Sequence, residues 1–229
     1  MNGKILSGSS IDADRGASGG SIWITAGSLS GSGRISAEGS YRLQYDWPGC
    51  GGRVAVYLTG AGSFDSFTGD INAYGGRFYD GVSFTYKPTS SCGTVYLQHA
   101  LQADKCGTII LDNAGGTSRG LGVELPAPVD GDSIGDFANV KIVLRRGGAL
   151  VLPSDLKVGD LVVEEEKAAI YLNDFRLKVG SALHRDGLGW CGITQKDAAK
   201  AYLDSIVKPG AGSLGRILWP LKGFSIIVR

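Results

Sequence analysis

Methionine occurs once in this chain, histidine twice and proline seven times. Two histidines leave little to build a zinc centre from. The four cysteines (Cys50, Cys92, Cys106 and Cys191) form no C-x-x-C pair, so a ligand set of the usual spacing is missing. Neither His99 nor His184 stands at a recognisable spacing from a Ser or Cys nucleophile. There is no G-x-S-x-G elbow either, which removes the common acyl-transfer triads. An excess of one charge is also lacking: 23 Lys and Arg face 22 Asp and Glu. Without a basic stripe to follow a phosphate backbone, nucleic acid is not an expected partner. No apolar run approaches the about 18 residues that a membrane span requires, so membrane insertion is not expected. The one dense charge run, Glu164-Glu165-Glu166, reads as a solvated turn.

Glycine, by contrast, is abundant, at 37 of 229 residues and roughly twice its average usage. It has no three-residue period and sits beside 43% hydrophobic residues, so the chain is neither collagen-like nor disordered. Glycine is expected at tight corners between strands, where a positive φ is needed. Between Gly20 and Gly116 one pattern recurs three times: a Gly-led apolar strand, a turn, and a second Gly-led strand. The first strands are GSIWIT, GRVAVY and GTVYLQ, and the second are GRISAEG, GDINAYGG and GTIILDNAGG. Laid over one another, Ile22, Val54 and Val95 form one apolar column and Ile24, Val56 and Leu97 the next. On the second strands Ile35, Ile71 and Ile109 align, followed by Ala37, Ala73 and Leu111. A two-strand unit repeated with a fixed apolar phase predicts stacked coils.

Alternating segments resume from Ala138: 140–144, 149–152, 156–158, 161–163, 170–172 and 175–179, with turns at Arg146-Gly-Gly and Asn173-Asp174. The pattern stops at Ser181. Residues 182–193, which include His184, Arg185, Asp186, Trp190 and Cys191, are expected to be an irregular loop. A helix follows at about 195–207, with two last strands at 215–219 and 224–228. Residues 1–181 are thus expected to be an all-β stack and 182–229 a small C-terminal cap covering its open end. The opening MNGKILSGSSIDADRG has no apolar core of the kind a signal peptide needs and leads straight into repeat-like sequence, so it reads as a segment of something longer.

The wording GGSIWITAGSLSGSGRISAEG, with GCGGRVAVYLTG and TGDINAYGG, is similar to the Gly-rich repeat segments of large secreted or surface proteins of bacteria. Those segments resemble right-handed parallel β-helices of the pectin-lyase-like class. The resemblance covers roughly residues 20–180, and it implies a β-helix and an extracellular or cell-surface location. The class includes polysaccharide lyases, glycoside hydrolases and adhesins without activity, and a fold alone does not choose among them.

If the Ile22 and Ile24 columns face inward, Trp23, Ala55 and Tyr96 share one outward column, and Thr25, Tyr57 and Gln98 the next. Trp23, Tyr57 and Tyr96 are then the candidate binding residues, a flat aromatic strip suited to sugar rings. The competing expectation is that the aromatic-rich loops 40–51 and 77–92 cover this face. On the second strands Arg34 and Asp70 are expected to pair, while Glu38 and Asp112 flank Tyr74, roughly 10 Å apart by strand spacing. That is close to the ~6.5–9.5 Å between the two carboxyls of an inverting glycosidase. Glu38, Asp70 and Asp112 are therefore the candidate catalytic set of an enzyme reading, against solubilising carboxylates. A lyase reading has Arg34, Arg53 and Lys141 to draw on. Asp130, Asp132 and Asp136 form a fragment of a calcium loop, with an Asp/Gly-rich turn as the alternative. No other cofactor is expected. Cys50 and Cys92, near the starts of successive first strands about 4.8 Å apart, are expected to lie close enough to bridge when oxidised; free thiols are the alternative. The leading expectation is a non-catalytic scaffold that binds a polysaccharide or cell-surface glycan.

Overall fold

The computed structural model describes residues 4–6, 17–43, 48–79, 88–103, 105–116, 122–126, 134–164, 167–186, 189–192, 207–208 and 216–218. Among the described residues the regular structure is β-strand apart from one 3-10 turn at Phe64–Ser66, and the sheets are largely parallel. The Gly-led first strands become β2 (Ser21–Ala26), β5 (Arg53–Leu58) and β8 (Thr94–His99). They pair in parallel with Ser21, Arg53 and Thr94 in line, the register their apolar columns demand. β1 (Lys4–Leu6), β3 (Arg34–Ser36) and β6 (Asp70–Asn72) form a second parallel sheet, in which Ile5, Ile35 and Ile71 are in line. β4 (Arg42–Leu43) and β7 (Phe78–Tyr79) make a third, two-stranded one. The chain thus makes two circuits through the same three sheets before it reaches β8.

The leading glycines serve close approach rather than positive φ. A Cβ on Gly52 would lie 2.0 Å from the Gly20 carbonyl oxygen, and one on Gly93 1.7 Å from that of Gly52. Positive φ is found instead at Gly31, Gly115 and Gly147 and in the expected turns, at Arg146 (46°), Asn173 (47°) and Asp174 (67°).

The third circuit breaks the pattern. The chain turns back after β8, and β9 (Thr108–Asp112) pairs antiparallel with it, placing Tyr96 opposite Ile109 and Val95 opposite Ile110. Side chains staple the turn. Gln102 accepts from the His99 amide (3.0 Å) and donates to the Cys106 carbonyl (2.9 Å), while the Tyr96 hydroxyl accepts from the Gly107 amide (3.2 Å). Ile109 therefore does not stack on Ile71, and its expected column with Ile35 and Ile71 ends after two members. Strand periodicity is the same for parallel and antiparallel partners, so the alignment alone did not distinguish them.

Beyond β9 the chain shuttles between two sheets. β11 (Ile134–Arg145), β13 (Asp155–Val163) and β15 (Arg176–Asp186) add in parallel to β9. β10 (Val123–Glu124), β12 (Ala149–Val151) and β14 (Ala169–Tyr171) form a separate parallel sheet. β16 (Gly189–Gly192) folds back on β15, so residues 182–186 and 189–192 are strand and not the irregular loop expected. Continued pairing with β13, His184 opposite Val163 included, keeps this stretch extended. β17 (Val207–Lys208) and β18 (Arg216–Leu218) each add to one of the two sheets. The helix expected at about 195–207 lies outside the described residues apart from Val207, which starts β17. The strand expected at 224–228 lies outside them too.

The long sheet, β16-β15-β13-β11-β9-β8-β5-β2 with β18 beside β15, serves two cores. Residues opposite one another in paired strands point to the same face. Val95 belongs to the first core, with Ile22, Ile35, Val54 and Val56, and Ile110 packs against that core. Ile109, opposite Tyr96, belongs to the second, with Ile142, Leu150, Leu161 and Ile170. The two cores therefore lie on opposite faces of one sheet, and β9 at the junction is apolar on both. Ile109→Ala is expected to cost about 2–5 kcal/mol. Ile110→Ala, on the other face, should destabilise as well, by a smaller amount. Urea unfolding of both variants measures this; a neutral Ile110→Ala would place that face in solvent.

Candidate binding face and its ion-pair seam

Beyond β8 the second core is roofed by the sheet that begins at β10. Among the described residues nothing roofs the same face of the long sheet over β2 and β5, while Tyr96 of β8 packs against the second core. Trp23 stands on that face 70% exposed; of the two aromatic-rich loops expected to cover it, residues 44–47 and 80–87 lie outside the described residues. Its ring stacks on Tyr57 with centroids 4.6 Å apart and planes 27° apart, and Tyr57 meets Tyr96 at 5.4 Å and 50°. The three predicted aromatics therefore do come together. They form a stack and not a pavement, because rings lying side by side in one plane cannot bring their centroids within 4.6 Å. Edges and hydroxyls line the surface, and the one wide-open ring face is that of Trp23 at the end of the stack. The indole Nε1 donates to Thr25 Oγ1 (3.3 Å), and the Tyr96 hydroxyl donates to Gln98, so each ring is anchored two residues along its own strand. Burial among the rings pushes the Tyr57 pKa up.

Beside this stack lies a cleft of about 1040 Å³. It is lined by Gly51, Gly52, Arg53, Thr94 and Tyr96 and by Val123 and Glu124 of β10. Arg53 and Glu124 are both exposed. The cleft was not legible from the repeats, because it arises where the second flanking sheet stops short of the first half.

The carboxylates of the enzyme reading sit on the first core's side and are held by arginines. Arg34 donates to Glu38, and its Nε lies 3.6 Å from Asp70. Asp70 accepts from Asn72 Nδ2 and from the Tyr74 hydroxyl (3.2 Å). Tyr74 in turn accepts from Arg146 Nη2 (2.8 Å), whose Nε donates to Asp112 (2.9 Å). Arg145 Nε comes within 2.7 Å of Asp112 without aiming its hydrogen at it, so that contact is electrostatic. The pairing of Arg34 with Asp70 is as expected, and Tyr74 and Asp112 share Arg146 although β9 does not stack on β6. Asp112 is buried, as is Tyr74, and is not the solvent-facing carboxylate expected, since this seam joins the two halves of the molecule. Burial first, then the charges of Asp112 and Asp70, push the Tyr74 hydroxyl up to about 12. The hydrogen bonds to Asp112 hold Arg146 firmly protonated. Arg145 and Arg146 were not singled out as functional by sequence, beyond a Gly-Gly turn at 146.

Cys50, Cys92 and Cys106 are free thiols. Gly51, not Cys50, is in line with Cys92, so the two cysteines are one residue out of register and the expected bridge is not formed. Cys92 points into the second core, where burial pushes its thiol up to about 12. Asp130 and Asp132 lie outside the described residues, and Asp136 falls in β11 opposite Lys157. Among the described residues no three His, Cys, Asp or Glu side chains come together as a metal site, and no helix is long and apolar enough to cross a membrane.

Arg146→Ala leaves the buried Asp112 with Arg145 and takes the donor from the Tyr74 hydroxyl, and should cost about 1–3 kcal/mol, whereas Arg34→Ala, at a more exposed pair, should cost less than about 1 kcal/mol. Chemical denaturation of the two variants checks the ordering; equal costs would mean that Asp112 is satisfied without Arg146. No family model, curated protein or solved structure matches this chain.

Proposed function

We propose that this chain is a non-catalytic module of an exported or cell-surface protein. In this reading it is a right-handed parallel β-helix whose open face binds an extended polysaccharide. Circuits that return in parallel to the same sheets support the β-helix, and right-handed crossovers are the strong rule for such connections. The chain reverses strand direction at β8–β9 and also changes face, which together amount to a half-turn about the axis. The two reversals leave the sense of winding unchanged.

The observation that carries the binding role is the open face of Trp23 at the end of a three-ring stack, beside a cleft at the upper end of the size range of ligand sites. A pyranose ring laid on that indole buries its apolar C–H face. A non-catalytic role is favoured over hydrolysis because Glu38 and Asp112 are each held by an arginine, and Asp112 is shut away from solvent. A general acid needs a proton to give and a substrate within reach.

Covering one indole face removes on the order of 50 Å² of apolar surface, about 1.3 kcal/mol or roughly tenfold in affinity. Trp23→Ala should weaken retention in polysaccharide affinity gels by about that factor, with an unchanged melting temperature. If the wild-type chain is retained by none of a panel of neutral and acidic polysaccharides, the glycan role is wrong. If Trp23→Ala unfolds the protein, Trp23 is core.

A further inference from the structure

The end of the molecule that carries β1 and β2 is unfinished in a specific way. Each circuit places a strand in the long sheet and then one in the first flanking sheet. β1 belongs to the flanking sheet, one circuit beyond β3, yet among the described residues the long sheet stops at β2. The burial pattern agrees. Ile5 lies in line with Ile35 on the inward column, and Ile35 is fully buried while Ile5 is 38% exposed. Ile24 of β2 is half-buried where its partner Val56 is fully buried. Among the described residues the core is thus open where one more strand would lie, beneath β1 and beside β2. The open ring face of Trp23 looks out over the same edge.

We propose that the free edge of β2 is a strand-addition site. It takes a single extended segment of a partner polypeptide, parallel to β2 and carrying the same Gly-led alternating pattern. The main-chain groups face the right way. The Arg53 amide donates to the Gly20 carbonyl (2.9 Å) and the Thr59 amide to the Ala26 carbonyl (2.8 Å). In a parallel ladder the groups facing one neighbour alternate, so even-numbered residues of β2 address β5. Ser21, Trp23 and Thr25 present their amides and carbonyls to the open edge, as strand addition requires.

The ring stack specifies the guest further. Its members alternate between the row of Trp23 and Tyr96 and the row of Tyr57. A ring meeting the open face of Trp23 therefore belongs in the Thr25 row, where β5 carries Tyr57. Inward apolar residues of the guest would cover Ile5. A second copy of the chain meeting β2 edge to edge about a two-fold axis would bring its own β1 toward the place of this β1, so a lone strand fits where a whole copy does not. The site runs along the sheet's edge, and a guest ring and a pyranose would compete for the open face of Trp23.

A peptide with the sequence of residues 52–59, GRVAVYLT, is the probe. Backbone amide hydrogen exchange by NMR, with and without the peptide, reads the edge directly. The amides of Ser21, Trp23 and Thr25 should slow by about tenfold or more, while those of Ile22 and Ile24, already paired with β5, stay as they were. A scrambled peptide should do nothing. Ser21→Pro removes an outward amide without touching a bond to β5, and edge strands tolerate such a proline. It should weaken the effect while leaving exchange in β5 unchanged. No slowing at the three amides under excess peptide overturns the proposal, as does protection at another strand instead. Slowing of the same three amides with protein concentration alone would assign the edge to a second copy and overturn the lone-strand guest.

Discussion

Antiparallel pairing of β8 with β9 is the constraint on which the rest of the molecule depends. It keeps one continuous hydrogen-bonded sheet while sending the chain to the other side of it, so that sheet is a floor for one core and a ceiling for the next. Strands near the junction must then be apolar on both faces, as in sheets covered on both sides. β9 meets that demand with Ile109, Ile110 and Leu111 in succession, and β11 with Ile142, Val143 and Leu144. Away from the junction, β2 carries apolar residues on one face and the exposed Trp23 and Thr25 on the other, which no described residue roofs.

The offset of the two cores also accounts for the polar features. Where the halves meet on the first core's side, Tyr74 and Asp112 are shut away from water, and Arg146 from the β11–β12 turn reaches back to satisfy both. Asn113 does the same for the backbone, accepting from the Gly75 amide and donating to the Ser90 carbonyl. A partly paired network here would be costly in a low-dielectric seam, which favours one register of the two halves over its neighbours. On the opposite face the second flanking sheet ends, among the described residues, at β10, and the cleft lies between it and the first half.

Much of this was legible in the residues. The columns of Ile22 with Val54 and Val95, and of Ile35 with Ile71, are the observed registers, and the outward places of Trp23, Tyr57 and Tyr96 follow from them. The strands from 140 to 179 also fall where alternation puts them. The reversal was missed because GTIILD has the same inward phase as GDINAY. The signal against stacking was that Ile109 is followed directly by Ile110 and Leu111, whereas Ile35 and Ile71 are flanked by Arg34 and Ser36 and by Asp70 and Asn72. A run without a polar face marks a strand buried on both sides. The stacking of the rings and the reach of Arg146 depend on rotamers and turn geometry that no column records.

The reversal is tested most directly by methyl and aromatic nuclear Overhauser contacts of Ile109. The structure predicts contacts from the Ile109 methyls to the Tyr96 ring on one side and to the Ile142 methyls on the other. Contacts between the methyls of Ile109 and Ile71 would mean that the third circuit stacks on the second. The two-faced sheet, and the account built on it, would then be contradicted.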